Sequence, residues 1–261
     1  MHRSIPNKSW KVIPYHRHFI PHLQGASSPH RNEHQRRRDP RGPTPETEKR
    51  TRSMNIAIIG TGNIGSGLAR VIGRTSHGVV VSDQQGGTEA AAKLAAEGVR
   101  VQAADTATAI AQAEIVILAT PYGASTQIAG ANDFSGKIVV DLSNPVTEDF
   151  SGLQLGHDSS AAEEIAKLVG APVVKAFNTV FAEHYAGDLT LGGRKIQTFV
   201  AGDDAEAKAK VIALAEDAGF EARDAGGLSN ARYLEPLGYL NIAFGYILGQ
   251  GTGIAPAWLA A

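Results

Sequence analysis

The stretch from Met54 to Arg70 leaves a chain few ways to fold. An apolar run, Ile56 to Ile59, enters Gly60, Gly62 and Gly65, spaced G-x-G-x-x-G. Ile64, Leu68, Val71 and Ile72 then recur at helical spacing. That order predicts a strand, a tight turn and a helix. Gly60 makes the turn, Gly62 lets a pyrophosphate approach the backbone, and Gly65 lets helix and strand pack closely. The free N–H groups at the helix start face the anion. Glycines alone are weak evidence, but Asp83 closes the next apolar run, Val79-Val80-Val81-Ser82. It lies near the ~20-residue offset of a ribose-binding carboxylate. The reading is therefore dinucleotide binding, with Gly60, Thr61, Gly62, Asn63, Ile64 and Gly65 at the pyrophosphate and Ser82 and Asp83 at the ribose. A chance Gly-rich turn would leave Asp83 unexplained.

The rest of the body keeps the rhythm. Strands are expected at 79–82, 99–101, 115–119, 138–142 and 172–177. Helices are expected at 88–97, at 106–112 with Asp105 as N-cap, and after the capping box Ser160-Ala161-Ala162-Glu163. Strands alternating with helices mean an α/β fold: a Rossmann-type doubly wound, mostly parallel sheet with helices on both faces. A small C-terminal α/β extension follows. It has a strand at 196–201, a helix opened by Asp203-Asp204-Ala205-Glu206, a strand at 220–224 and a long apolar helix at 229–248. The expected division is 1–53 as a disordered leader, 54–180 as the nucleotide-binding domain and 181–261 as the extension.

The formal net charge of −1 hides an asymmetry: 12 of the 25 Lys and Arg, but 4 of the 26 acids, lie in residues 1–53. That segment is also rich in Pro and His, without apolar period, and reads as disordered. Arg36-Arg37-Arg38 suits a nucleic acid or a membrane surface, and the acid-poor start suits a targeting peptide, although its prolines oppose an amphipathic helix. The preferred reading is an extension outside the fold, with Met54 as the natural start and neither nucleic acid nor membrane as partner. Cysteine is absent, which excludes disulfides and thiol chemistry and points to a cytoplasmic protein. The apolar part of helix 229–248 is too short for a membrane span, and Arg232, Glu235 and Asn241 interrupt it. It reads as a buried helix or part of a dimer interface.

Ligands of such sheets sit at the carboxyl ends of the strands. The fourth to sixth strand ends offer Ala119, Thr120, Pro121 and Tyr122, then Ser143, Asn144 and Pro145, then Lys175, Ala176, Phe177, Asn178 and Thr179. Asn144-Pro145 reads equally as a plain turn, and Tyr122 as nicotinamide packing or core filling. No catalytic constellation and no metal-spaced His pair stands out. His77 reads as a solvated helix end, and His184 as a residue near the site that is more often structural. The missing acid/base pair suits a second substrate that is itself a redox coenzyme, because hydride passing between rings needs positioning more than proton transfer.

Gly60-Thr61-Gly62-Asn63-Ile64-Gly65, Thr120-Pro121-Tyr122, Ser143-Asn144-Pro145, Val174-Lys175-Ala176-Phe177-Asn178-Thr179 and Arg232-Tyr233-Leu234-Glu235-Pro236-Leu237 come in that order. With them the chain resembles the NADPH-dependent coenzyme F420 reductase family over about 54–255. The Lys-Ala-Phe-Asn-Thr segment is the most specific part, shared with the oxidoreductase domain of the Steap metalloreductases. The resemblance implies hydride transfer between a nicotinamide and an 8-hydroxy-5-deazaflavin, in a dimer or larger oligomer. It implies NADP as cofactor and F420 as partner, with the ends of strands four to six lining the nicotinamide pocket. Two departures stand out. The loop Ser82-Asp83-Gln84-Gln85-Gly86 has no Arg for a 2′-phosphate, so the residues lean to NAD where the family leans to NADP. The body is net negative, and Lys175, Arg194, Lys195 and Arg232 are the few bases left to meet a polyanionic deazaflavin tail. Alternatives are a reductase of a flavin or small organic substrate, and a dinucleotide sensor without turnover.

Overall fold

The computed structural model describes residues 52–259. The reading of residues 1–53 falls, but for its last two residues, outside that range. Among the described residues, seven α-helices and ten strands follow in chain order. They are β1 (Asn55–Ile59), α1 (Asn63–Ile72), β2 (Gly78–Ser82), α2 (Thr88–Ala96), β3 (Gln102–Ala103) and α3 (Thr106–Gln112). Next come β4 (Ile115–Leu118), α4 (Tyr122–Ala131), β5 (Ile138–Asp141), α5 (Ala161–Val169) and β6 (Val173–Lys175). The remainder is β7 (Thr190–Leu191), β8 (Arg194–Lys195), β9 (Gln197–Gly202), α6 (Ala205–Asp217), β10 (Glu221–Asp224) and α7 (Ala231–Ile242).

Eight strands form one sheet in the order β10-β9-β6-β5-β4-β1-β2-β3. The run β3-β2-β1-β4-β5-β6 is parallel throughout and is the Rossmann order. β9 pairs antiparallel with β6, and β10 runs parallel to β9. The strands are continuously apolar because both faces are covered. Ile56 and Ile58 pack with Leu68, Ile72 and Leu94 on one face. Ala57 and Ile59 pack with Ile110, Phe134 and Ile165 on the other. The expected fold class is the one observed.

Local chemistry explains the boundaries. Asp105 caps α3 by accepting from Thr108 N at 2.9 Å, and Ser160 caps α5 by accepting from Glu163 N at 3.2 Å. α6 is capped by Asp204, not by Asp203, whose carboxylate accepts from Leu228 N instead. The third strand starts later than expected. Gly98 (φ +77°) sends its N–H to Ala95 O while Val99 N reaches Leu94 O, so Val99 closes α2 and cannot open a ladder. α4 was not foreseen: Gly123, Ser125, Thr126 and Gly130 are poor helix formers, and packing against α5 supplies what propensity does not. The short hairpin β7–β8 was not foreseen either, although Gly192-Gly193, both at positive φ, form the two-residue turn that joins its strands.

Candidate functional site

The carboxyl ends of β1, β2, β4, β5 and β6 meet along one edge of the sheet, and α1 and α4 start there. Gly60 adopts φ +108°, and a Cβ on it would lie 2.5 Å from Ala119 O, so only glycine makes this turn. A Cβ on Gly65 would lie 1.9 Å from Gly60 O, so α1 sits directly on the loop that opens it. Gly62 is the opposite case: nothing stands within 4 Å of where its Cβ would be. No side chain caps α1 or α4, and neither has an acid in its first turn. Their first N–H groups are left for an anion.

Asp83 ends β2 and is tied into the loop. Its Oδ1 accepts from Gln85 N and Gly87 N, both at 2.8 Å, and its Oδ2 accepts the Thr61 hydroxyl at 2.5 Å. A carboxylate has about four acceptor positions, so one on Oδ2 remains for a ligand. The Thr61 hydroxyl above all, then the Gly87 N–H, holds the Asp83 carboxyl below the usual aspartate range. Thr61, Gly62, Arg70, Asp83 and Lys93 line a cavity of ≈ 390 Å³ between α1 and α2. Both of those bases are taken, Arg70 by Glu97 at 2.6 and 2.9 Å and Lys93 by Glu89 at 2.7 Å.

At β5 and β6 the geometry departs from expectation. Lys175 is fully buried and turned beneath the strand ends. Its ammonium donates to Asp141 Oδ2 at 2.6 Å, to Glu235 Oε1 of α7 at 2.9 Å and to Ser143 O, which uses all three N–H groups. The ammonium, expected at the ligand, is thus engaged entirely by the protein itself. Arg232 is likewise engaged, by both oxygens of Glu163. Ala176 and Phe177 are buried too, and Phe177 packs 5.5 Å from Phe220. Phe177 has φ +61°, a left-handed conformation costing a non-glycine residue about 1–2 kcal/mol. Its N–H is held by the Thr198 hydroxyl at 3.0 Å. That reversal brings Asn178 back toward β5, where Asn144 Nδ2 donates to Asn178 O and Asn178 Nδ2 donates to Asn144 Oδ1. Asn178 Oδ1 and Thr179 Oγ1 are buried without partners.

Thr120 pairs with Ser125 at 2.8 Å as α4 begins. Burial first, then the carboxylates of Glu164 and Glu235, push the Tyr122 phenol up, so it stays protonated at neutral pH. Of the two histidines, the solvated reading of His77 is corrected, and His184 takes the structural role that was the favoured reading. His77 is buried, accepting from Met54 N and facing Asp217 at 3.1 Å. His184 lies 3.0 Å from Ile254 O in the C-terminal segment.

The family described as NADP oxidoreductase coenzyme F420-dependent matches residues 55–145. A hypothetical protein from Sinorhizobium meliloti is 32% identical, covering 68% of this chain and 86% of that one, with a TM-score of 0.60. A proposed F420-dependent NADP-reductase from Arthrobacter sp. FB24 is 28% identical over 76% of this chain and 96% of its own, with a TM-score of 0.64. Residues 55–145 thus match the F420-dependent NADP oxidoreductase family. Metalloreductase STEAP3 of Rattus norvegicus is 30% identical over 184 residues, 70% of this chain. The chain spans only 36% of that curated relative. The family match ends at Pro145, so it contains the glycine turn, Asp83 and Asn144 but neither Asn178 nor Glu235. What sequence reasoning missed is Glu235: it was read as a polar interruption of an apolar helix, and nothing local marks it as Lys175's partner.

Proposed function

We propose that the chain is a nicotinamide-dinucleotide-dependent oxidoreductase that transfers a hydride to or from a second redox molecule. The observation that carries this is the empty space at Gly62 beneath the uncapped start of α1, beside an Asp83 with one acceptor position left. These residues fit a dinucleotide. Gly60–Gly65 hold the pyrophosphate, Asp83 holds the adenosine ribose, and Thr120–Tyr122, Ser143–Pro145 and Asn178–Thr179 border the nicotinamide. Asn178 Oδ1, a buried acceptor without a partner, suits a ligand amide donor. A bound nicotinamide supplies or receives the hydride at its ring. The chain's own part is to orient that ring and exclude water, which suits the lack of an acid/base pair.

The family description names NADP, but the cavity favours NAD. Asp83, Glu89 and Glu97 face Arg70 and Lys93, which already have partners, so a 2′-phosphate meets net negative charge. After screening, the repulsion is on the order of 1–3 kcal/mol. The second substrate we favour is a deazaflavin of the F420 kind, supported by the family; a flavin or small imine is the alternative. We also propose a homodimer through α7. Tyr233 and Leu240 of α7, with Phe244 and Ile247 of the π-helical turn that continues it (Ala243–Ile247), lie exposed, Tyr233 by 73% and Ile247 by 57%. The experiment is to follow NADH and NADPH oxidation by the full chain against deazaflavin, FMN, ferric chelates and small imines. Turnover with deazaflavin is expected. Tight cofactor binding with no turnover on any acceptor would instead favour a sensor.

A further inference from the structure

α7 buries a face that is unusual for an apolar helix. Ala231, Leu234, Glu235, Gly238, Asn241 and Gly245 point inward, at spacings of three, four and seven. Four of these reach the ends of β5 and β6, Asn241 by donating from Nδ2 to Thr179 O at 3.2 Å. Glu235 sends Oε1 to Lys175 and also accepts from Ala161 N at 3.0 Å and Ala162 N at 3.3 Å, the first N–H groups of α5. Leu234 O accepts from Asn178 Nδ2 at 2.7 Å. Gly238 has no side chain where a Cβ would lie 2.5 Å from Asn144 Oδ1 and 2.7 Å from Asn144 Nδ2.

These contacts close a ring. It runs from Glu235 to Lys175, from Lys175 to Ser143 O, along the chain to Asn144, across to Asn178 and back to Leu234 O. Asp141 joins from below, with Oδ2 on Lys175 and Oδ1 on Ser143 N and Oγ. A core built only for stability does not need three buried ionisable side chains, since apolar residues of equal volume serve as well or better. What a satisfied polar ring supplies is a unique geometry, here for the Asn144–Asn178 pair beside the strained Phe177.

We propose that Glu235 and Gly238 of α7 are positioning residues for the nicotinamide end of the site, acting through Asn144 and Asn178. This rests on the dinucleotide reading above. α7 thereby sets the orientation of the ring without touching it, while the adenosine end is built by α1, β2 and α2.

Two variants test this, Gly238→Ala and Glu235→Gln. The first adds one methyl against Asn144 at a helical position where Ala is a better helix former, so the fold is retained. The second leaves Lys175 and Asp141 as a neutral pair. Three readouts are taken on the full chain: the Kd for ADP-ribose, the Kd for NADH and NADPH, and the anisotropy of the bound reduced nicotinamide's own fluorescence. Each variant is expected to keep ADP-ribose affinity within about twofold while losing about fivefold or more for the dinucleotide. The nicotinamide anisotropy at saturation is expected to fall. Unchanged anisotropy, or equal losses for ADP-ribose and dinucleotide, would overturn the proposal. Should Glu235→Gln fail to fold, Gly238→Ala decides alone. A parent chain that binds neither NADH nor NADPH sinks the dinucleotide reading itself, a result separate from variants that behave like a binding parent.

Discussion

Two glycines three residues apart have opposite demands. A Cβ on Gly62 would meet nothing within 4 Å, which leaves room for the proposed pyrophosphate, whereas a Cβ on Gly65 would meet Gly60 O at 1.9 Å. Gly62 has φ −65° and ψ −173°, which valine accepts. Gly62→Val is therefore expected to melt near the parent while NAD affinity falls about 100-fold or more. Wild-type affinity in calorimetry of the folded variant would move the pyrophosphate elsewhere. Asp83 carries the next two predictions. Asp83→Ser with Gln85→Arg removes the repulsion and adds a phosphate fork, so the NAD preference should reverse in kcat/KM or Kd. A parent that prefers NADPH at both low and moderate salt defeats this. The Asp83 pKa is depressed, so its contribution is present above the unfolded value of about 3.9 and lost as pH falls through the depressed one. NAD affinity is thus expected to stay level from neutral pH to about 4.5, in titrations by intrinsic fluorescence. A decline starting near pH 6 would implicate another group.

Among the elements, α1 and α7 show what packing demands. Gly65→Ala puts a methyl 1.9 Å from Gly60 O, and α1 must lift from β1. The expected cost is on the order of 3 kcal/mol, read as a lowered urea midpoint. A midpoint equal to the parent's would show that the turn relaxes freely. In α7, burial first, opposed by Lys175, raises the Glu235 pKa. The sign is opposite to that of Asp83: this stability is present below the ordinary glutamate value of about 4.3 and is lost as pH rises through the raised one. Glu235→Gln should lack that loss. The melting temperature of the parent minus that of the variant should decline as pH rises above about 4.3, then level. A pH-independent difference would place Glu235 at its ordinary pKa. Strands and helices were legible where local signals agree: the apolar runs of β1, β2, β4 and β5, and the caps Asp105 and Ser160. α4 was not, because its Gly, Ser and Thr content carries no helical preference and its stability comes from α5.

For the whole molecule, the sheet runs unbroken from β3 to β10, with the candidate site midway along its carboxyl edge. Among the described residues, no helix is long and apolar enough to cross a membrane. The outward face of α7 is the other large-scale feature. Leu240→Glu with Ile247→Glu would place like charges across the proposed two-fold interface, and light scattering is expected to show a dimeric parent and a monomeric variant. Because α7 also seats Asn144 and Asn178, the monomer should bind the nicotinamide less firmly than ADP-ribose. A parent already monomeric at micromolar concentration would end the dimer proposal.

The sequence by itself determined the strand–turn–helix at Gly60–Gly65, the alternating α/β order and the parallel sheet. These follow from short-range periodicity, glycine sterics and capping, all within a few residues. Only the tertiary structure decided which polar groups face a ligand and which face one another. Lys175 meets Asp141 from 34 residues away and Glu235 from 60. His77 finds Asp217 across 140 residues. Burial and pairing of a charge depend on which elements pack over it, and a linear pattern does not carry that.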